Sequence, residues 1–254
     1  MGRARASSLS APNGYWIHLL AKEGAVTTNP TIATATIPSP TPVRPARRWA
    51  SYALYATPIL FFLGFAPVFL HDPVGSQWHL VYVLAAQHML VVAPIHDPDP
   101  NQAYAYPPAM AMFAAPLANF SPPVSLALWY VVNVVAASIV FTSAWRLAGG
   151  PPFSALDRRW LVVLGVATIL GLRYFVTPLE NRQFDMVIAA TLLAGCCALW
   201  RGSDYRAAAL LGAGAAMKLT PLLFAPYLAW RRKYASAALL VAVAIGLSVL
   251  PEVL

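Results

Sequence analysis

Long stretches of this chain contain no charged residue, and this feature limits the possible folds more than any other. Trp49–Leu70 and Pro107–Trp145 are both free of Asp, Glu, Lys and Arg. Of the 254 residues, 59% are hydrophobic and 10% are charged, whereas soluble domains carry about 25% charged residues. A soluble fold would expose too much apolar surface. We therefore predict an all-α, polytopic membrane protein with about six to eight membrane segments.

The net charge of +8 comes from short Lys and Arg clusters that separate the apolar runs. A nucleic-acid-binding surface would interleave its basic residues with aromatic side chains, and these clusters do not. We therefore predict no nucleic-acid partner and interpret the clusters as topology signals. Cys196 and Cys197 are adjacent inside an apolar run, which indicates free thiols in a helix.

Residues 1–48 differ in composition from the rest of the chain. They are rich in Ala, Pro, Ser, Thr and Arg and show no helical or strand period. This composition is typical of a disordered arm. Because Arg44, Arg47 and Arg48 directly precede the first apolar run, the positive-inside tendency predicts that this arm is cytoplasmic and that the protein crosses the plasma membrane several times.

Residues 71–106 carry Asp72, Asp97 and Asp99 but no Lys or Arg, so we predict that they lie outside the membrane. Within them, Ser76–Leu90 has the apolar content of an amphipathic helix lying on the outer membrane surface. Further spans are predicted at Val124–Trp145, Trp160–Val176, Met186–Trp200 and Tyr234–Pro251. The piece at 107–118 is too short for a comfortable crossing, and we predict a half-helix or short span there.

The apolar segment at 207–230 has basic residues on both sides, at 201–206 and at 231–233. A single span would place the second basic cluster outside, against the positive-inside tendency. We therefore predict a helical hairpin whose turn, near Met217–Pro221, is sunk into the membrane. Irregular backbone at that depth must be buried in protein or line a cavity. A Lys at that position, Lys218, is by default a functional candidate.

The sequence "YAYPP" at 104–108 marks the point where the outer loop enters the bilayer again. Pro is favoured in the first turn of a helix, where its missing N–H is not needed. Tyr is favoured at the membrane interface.

Four segments, taken in order, resemble glycosyltransferase family 87 over roughly residues 50–250. They are the acidic outer loop after the first span, "YAYPPAMAMFAAPLA", "ENRQFDMVIAATLL" and "AAALLGAGAAMKLTPLLFAPYLAWRR". Members of this family are polytopic enzymes of the GT-C type that use polyprenyl-phosphate sugars to mannosylate or arabinosylate envelope glycolipids and glycans. The residues that match the family's motifs are Tyr106, Pro107, Pro108, Asn181, Gln183, Asp185 and Lys218.

The resemblance implies a GT-C-like helical bundle at 49–254, corresponding to the N-terminal part of the family's fold and incomplete at the C-terminus. It implies transfer of a hexose or pentose, mannose first, from a polyprenyl-phosphate sugar to a lipid or glycan acceptor on the outer face. Tyr106, Asn181, Gln183 and Lys218 would bind substrate, with Lys218 stabilising the departing phosphate. The donor is a substrate, and no metal or other cofactor is expected.

The chain departs from the family at Gln77-Trp78, where the family has an acidic residue followed by an aromatic one. Gln cannot act as a general base, so we predict that another outer carboxylate takes the acceptor proton. Asp72 ranks first because it directly follows the first span, whereas Asp97 and Asp99 lie in a Pro-punctuated segment.

Other interpretations remain open at this point. Lys218 is also compatible with snorkelling from a helix end, Tyr106 with an interface anchor, and Gln183 and Asp185 with ordinary helix-start residues. Arg173 and Arg182 suit either a lipid phosphate or a headgroup contact. The two "HDP" sequences offer a metal site or simple turns. At the level of the whole chain, the alternatives are a lipid or solute transporter and an inactive or truncated homologue with a structural role.

Overall fold

The computed structural model describes residues 45–95, 104, 106–152 and 156–253, with side chains from Thr57 to Pro251. Almost all of the predicted arm, and with it Asp97 and Asp99, lies outside the described residues. The helices are α1 (Pro45–Leu70), α2 (Leu84–Leu90), α3 (Pro108–Ala118), α4 (Pro122–Leu147), α5 (Arg158–Glu180), α6 (Asp185–Trp200), α7 (Asp204–Met217), α8 (Phe224–Trp230) and α9 (Tyr234–Val253). A π-helix at Trp78–Val83 leads into α2, and a 3₁₀-helix at Thr220–Leu223 leads into α8. The described residues contain no β-strand.

The prediction of an all-α membrane protein is confirmed. Within the described ranges, three helices are long and apolar enough to cross a membrane: Pro122–Leu147, Arg158–Glu180 and the Tyr234–Pro251 part of α9. Shorter apolar helices lie at Thr57–Leu70, Pro108–Ala118 and Asp185–Trp200. These helices coincide with the apolar runs of the sequence, although Arg158–Glu180 also carries Arg173.

The short helix predicted at 107–118 is present as α3. It has 11 residues, begins with Pro108 in its first turn and contains Pro116. Eleven residues span about 16 Å, roughly half of the hydrocarbon thickness. The helix is therefore too short to cross the hydrocarbon layer alone, as the sequence predicts.

The segment at 76–90 is helical as predicted, but its apolar face packs against protein and not, as predicted, against the membrane. Trp78, Tyr82 and Val83 are buried in the π-helix, and Ala85 and Ala86 are buried in α2. The Gln87 side chain of α2 donates a hydrogen bond of 3.2 Å to the last residue of α3, the Ala118 carbonyl. The apolar face is covered by α3 and α4 because protein partners fit these large side chains better than lipid does.

The predicted hairpin after α6 is confirmed. α7 ends at Met217, and Lys218 has extended backbone. The chain then returns through the 3₁₀-helix and α8, so that Lys233 Nζ lies 2.6 Å from Asp204 Oδ1 at the start of α7. The two basic clusters at 201–206 and 231–233 consequently lie at the same end of the bundle. α7 and α9 run in the same direction.

Small residues allow α7 to pack closely against its neighbours. A Cβ added to Gly212 would lie 2.7 Å from the Leu240 carbonyl oxygen of α9, and one added to Gly195 of α6 would lie 2.8 Å from the Leu211 side chain. Small residues at helix interfaces are the usual means of close packing in membranes, where apolar burial alone drives little association. The "GAGAA" sequence of α7 thus sets the distance to α6 and α9.

Candidate functional site

A cavity of about 640 Å³ opens between α5 on one side and α4 and α6 on the other. Its lining residues are Val140, Arg173, Tyr174, Phe175, Thr177, Pro178, Gln183, Asp185, Met186 and Ala189. Gln183 and Asp185 line the cavity at the start of α6. Val140 lines it further along α4, 11 residues or about 16 Å beyond Trp129 of the same helix. Because the Trp129 ring contacts Phe184, directly before α6, the cavity extends along the helix direction. It has a polar end and an apolar wall.

The α5–α6 turn presents the polar end of the cavity. Asn181 caps α5 with its N–H bonded to the Thr177 carbonyl, and the Gln183 N–H bonds to the Pro178 carbonyl at 2.9 Å. Asp185 is the first residue of α6, a position where the helix dipole favours a carboxylate. The structure thus brings Gln183 and Asp185 together, whereas Asn181 is exposed and does not line the cavity.

Lys218 reaches the same end of the cavity through Asp185. Its Nζ lies 2.6 Å from Asp185 Oδ1, and the two side chains are 52% and 37% exposed. Met217, directly before Lys218, is buried at the end of α7. The ammonium therefore contacts a carboxylate that lines the cavity, although Lys218 is not itself a lining residue.

This ion pair lies at the end of the bundle opposite to the pair between Lys233 and Asp204. At the opposite end of α6 to α9, Trp200, Tyr205, Trp230 and Tyr234 are exposed, and each is adjacent in sequence to an Arg or a Lys. Such aromatic and basic residues mark a membrane interface. α6 has 16 residues and α7 has 14, so they rise about 24 and 21 Å from that interface. The pair therefore lies about 21–24 Å from that end of the bundle, a distance shorter than the thickness of a hydrocarbon layer, which is about 30 Å.

Arg182 anchors the α5–α6 turn to the end of α1. Its guanidinium donates hydrogen bonds to the carbonyls of Phe69 at 2.9 Å, Val68 at 3.3 Å and His71 at 2.7 Å. These include carbonyls that the end of a helix leaves without partners. Burial lowers the pKa of Arg182, and the charge of Asp72 acts in the opposite direction. Arg182 is therefore engaged by the protein itself, while Arg173 faces the cavity.

Stacked aromatic side chains pack against the same turn. The Trp78 and Trp129 rings stack at 4.2 Å, and the Phe184 ring lies 4.6 Å from that of Trp129. The indole N–H of Trp129 donates to the Arg182 carbonyl at 2.9 Å, and that of Trp78 donates to the Ser125 hydroxyl at 2.9 Å. Trp78 directly follows Gln77, which stands where the resemblance implies an acidic residue. Its buried ring thus supports the turn that carries Gln183.

Tyr104 and Tyr106 have different positions at the start of α3. The Tyr104 hydroxyl donates to the Pro107 carbonyl at 2.7 Å and accepts from the Ala111 N–H at 2.9 Å, which fixes the start of α3. Tyr106 is half-buried, and its ring lies 5.3 Å from that of Tyr82. Burial, followed by the influence of Tyr106, raises the pKa of Tyr82. Tyr106 does not line the cavity, and its contact with substrate remains a prediction.

Asp72 lies near the outer end of α1 but is turned toward its own loop. Its backbone has a φ of 46°, and its carboxylate accepts a hydrogen bond of 3.0 Å from the Gly75 N–H. A Cβ on Gly75 would lie 2.1 Å from the Asp72 carboxylate, so a larger residue there would require the carboxylate to move. Asp72 does not line the cavity. Its role as a base remains a prediction, and the carboxylate in the cavity is that of Asp185.

In the part of the chain that the structure describes, no three His, Cys, Asp or Glu side chains lie close enough together to hold a metal ion. His96 of the second "HDP" sequence lies outside that part. A metal site at the two "HDP" sequences therefore stays a hypothesis.

Sequence reasoning found Gln183 and Lys218 but missed the partners that position them. The pairing of Lys218 with Asp185 had a signal, since both are charged residues at the outer ends of neighbouring apolar helices. The binding of Arg182 to the end of α1 had none, because these residues are more than 110 positions apart in the chain.

The fold and the cavity together define a class of protein: an all-α, multi-pass membrane protein with an ion pair beside a cavity that has one polar end. The sequence model of glycosyltransferase family 87 matches residues 104–254, which is more than half of the chain and contains the whole cavity. The chain belongs to this family.

A curated relative is the polyprenol-phosphate-mannose-dependent alpha-(1-2)-phosphatidylinositol mannoside mannosyltransferase of Mycobacterium tuberculosis. It is 30% identical over 142 residues, which cover 52% of this chain and 32% of the relative. The matched region is thus about a third of the relative's length. No solved structure matches the chain significantly.

Proposed function

We propose that this protein is a membrane glycosyltransferase that moves a sugar from a polyprenyl-phosphate donor to a lipid or glycan acceptor. The observation that carries the proposal is the cavity, which combines polar and charged side chains at one end with an apolar wall along α4 and α6. A polyprenyl-phosphate sugar has the same division, with a charged and polar head on a long apolar chain. Membership of family 87 supports the same assignment.

Each polar residue that lines the cavity or lies near it suits one part of the reaction. Lys218 and Arg173 supply positive charge, which stabilises the phosphate as it leaves. Gln183 carries an amide that both donates and accepts hydrogen bonds, as sugar hydroxyls require. Tyr106 and Asn181 do not line the cavity, and we propose that they contact the acceptor as it approaches. No divalent cation is required, because side-chain cations take its place.

Mannose is the sugar that we propose, since the relative's name specifies polyprenol-phosphate-mannose as its donor. We place the reaction on the outer face and the N-terminus in the cytoplasm. This orientation rests on the Lys and Arg residues that lie at the end of the bundle opposite the polar end of the cavity.

The test is a transfer assay with the purified protein in lipid nanodiscs. Radiolabelled polyprenyl-phosphate mannose is supplied with total membrane glycolipids as acceptors, and polyprenyl-phosphate arabinose and a nucleotide-activated mannose serve as comparisons. The proposal predicts labelled product from polyprenyl-phosphate mannose and none from the nucleotide sugar. Product from arabinose alone would correct the sugar, and no product from any donor would favour the inactive homologue.

A further inference from the structure

The ion pair between Lys218 and Asp185 joins two groups that a glycosyl transfer needs separately. Lys218 Nζ lies 2.6 Å from Asp185 Oδ1, and both side chains are partly exposed, at 52% and 37%. Asp185 lines the cavity beside Gln183. While the pair is closed, the ammonium is not available to a phosphate, and the paired carboxylate oxygen is not available to an acceptor hydroxyl.

A donor phosphate would compete with Asp185 for the Lys218 ammonium. The ion pair is exposed enough for water and ligand to reach it, and such pairs are held only weakly. A bound phosphate brings its own negative charge, and that charge grows as the bond to the sugar breaks. Movement of Lys218 toward the phosphate would free the Asp185 carboxylate to accept a hydrogen bond from an acceptor hydroxyl.

We propose that the Lys218–Asp185 pair is a lock that the donor opens, and that the freed Asp185 is the base that takes the acceptor's proton. This inference rests on the proposed function. In the reaction, the acceptor hydroxyl oxygen forms a bond to the anomeric carbon of the sugar. The bond from that carbon to the phosphate oxygen breaks, its electron pair leaves with the polyprenyl phosphate, and the hydroxyl proton passes to Asp185.

The position of Asp185 suits this role better than that of Asp72. Phe184, the residue before it, is buried against Trp129 at 4.6 Å, which fixes the start of α6. The Asp185 carboxylate faces the cavity, whereas the Asp72 carboxylate binds the Gly75 N–H within its own loop. A lock of this kind also imposes an order, in which donor binds before acceptor.

The experiment compares Asp185→Asn with Asp204→Asn, which breaks an ion pair of the same 2.6 Å length at the opposite end of the bundle. Binding of polyprenyl phosphate without sugar is measured in nanodiscs, and transfer is measured at saturating polyprenyl-phosphate mannose. Asp185→Asn removes the competing anion, so binding should tighten about two- to fivefold. Transfer should fall about 10²- to 10⁴-fold, the usual loss on removing a general base. Asp204→Asn should change neither quantity.

A second measurement uses the wild-type protein and therefore does not depend on the folding of a variant. Labelling of Asp185 by a hydrophobic carbodiimide, followed by mass spectrometry, should rise when polyprenyl phosphate is added, because the carboxylate loses its cation. Labelling that is unchanged or lower would overturn the lock.

The other outcomes separate the two proposals. Weaker or unchanged binding of polyprenyl phosphate in Asp185→Asn overturns the lock. Normal transfer by that variant overturns the role of Asp185 as the base. In both cases, transfer by the wild-type protein leaves the proposed function standing. Normal transfer in Asp185→Asn with loss of transfer in Asp72→Asn would return the base to Asp72. A wild-type protein that neither binds polyprenyl phosphate nor transfers sugar would remove the proposed function and this inference together.

Discussion

Arg182 and Phe69 connect the α5–α6 turn to the end of α1: the Arg182 Nε donates a hydrogen bond of 2.9 Å to the Phe69 carbonyl across 113 positions of sequence. The same guanidinium also reaches the Val68 and His71 carbonyls. Since this turn carries Gln183 and Asp185, the position of the cavity's polar end depends on this anchor.

We predict that Arg182→Lys destabilises the protein, because a single ammonium cannot reproduce a planar guanidinium that bonds three carbonyls. The expected loss is about 1.5–3 kcal/mol, the usual value for hydrogen bonds to charged groups. Thermal unfolding in detergent measures it. The matched control is Arg159→Lys, at an exposed residue at the start of α5. Equal unfolding temperatures for the two variants would show that the anchor contributes nothing.

The Lys233–Asp204 contact predicts the side of the membrane on which two loops lie. Cys is introduced at Tyr205, Tyr234 or Val74, which are 64%, 66% and 58% exposed, after Cys196 and Cys197 have been changed to Ala. A membrane-impermeant maleimide should label Tyr205→Cys and Tyr234→Cys from the same side, and Val74→Cys from the other. Labelling of the Tyr205 and Tyr234 variants from opposite sides would contradict the hairpin.

That hairpin shows how far the sequence could predict the fold. Basic residues on both flanks of 207–230 indicated the hairpin, and the break at Lys218 is where it was expected, because topology depends on a few charges near helix ends. The segment at 76–90 was misplaced for the opposite reason. Trp78 contacts Trp129, and a contact between residues so far apart in the chain leaves no periodic signal in either segment.

The candidate site was likewise predictable from the sequence only in part. Gln183 was recognisable from its match to the family's motif, and Lys218 also because a Lys within an apolar segment is costly. The choice between Asp72 and Asp185 was not available from sequence, because it depends on which way each carboxylate turns. The Gly75 N–H that holds the Asp72 side chain is a property of the folded loop.

We predict that Gly212→Ala weakens the packing of α7 on α9. The added Cβ would lie 2.7 Å from the Leu240 carbonyl oxygen, and overpacking of this kind costs about 1–3 kcal/mol. Thermal unfolding in detergent should show the loss. Gly246→Ala is the control, because a Cβ on Gly246 of α9 would have no neighbour within 4 Å. The same unfolding temperature for both variants would mean that close packing at Gly212 is not needed.

We predict that transfer does not require a divalent metal, since Lys218 and Arg173 supply positive charge at the cavity. Transfer after treatment with excess EDTA should stay within about twofold of the untreated rate. The control adds magnesium or manganese back to the treated protein. Activity lost in EDTA and restored by either ion would show that a metal takes part.

The role of Lys218 at the donor phosphate is tested most directly by transfer of mannose from polyprenyl-phosphate mannose in two matched variants. Lys218→Gln and Lys233→Gln each remove one ammonium from an ion pair of 2.6 Å, at opposite ends of the bundle. If Lys218 stabilises the departing phosphate, Lys218→Gln should transfer about 10²- to 10³-fold more slowly, while Lys233→Gln keeps the wild-type rate and both fold normally. Full transfer by Lys218→Gln would contradict that role.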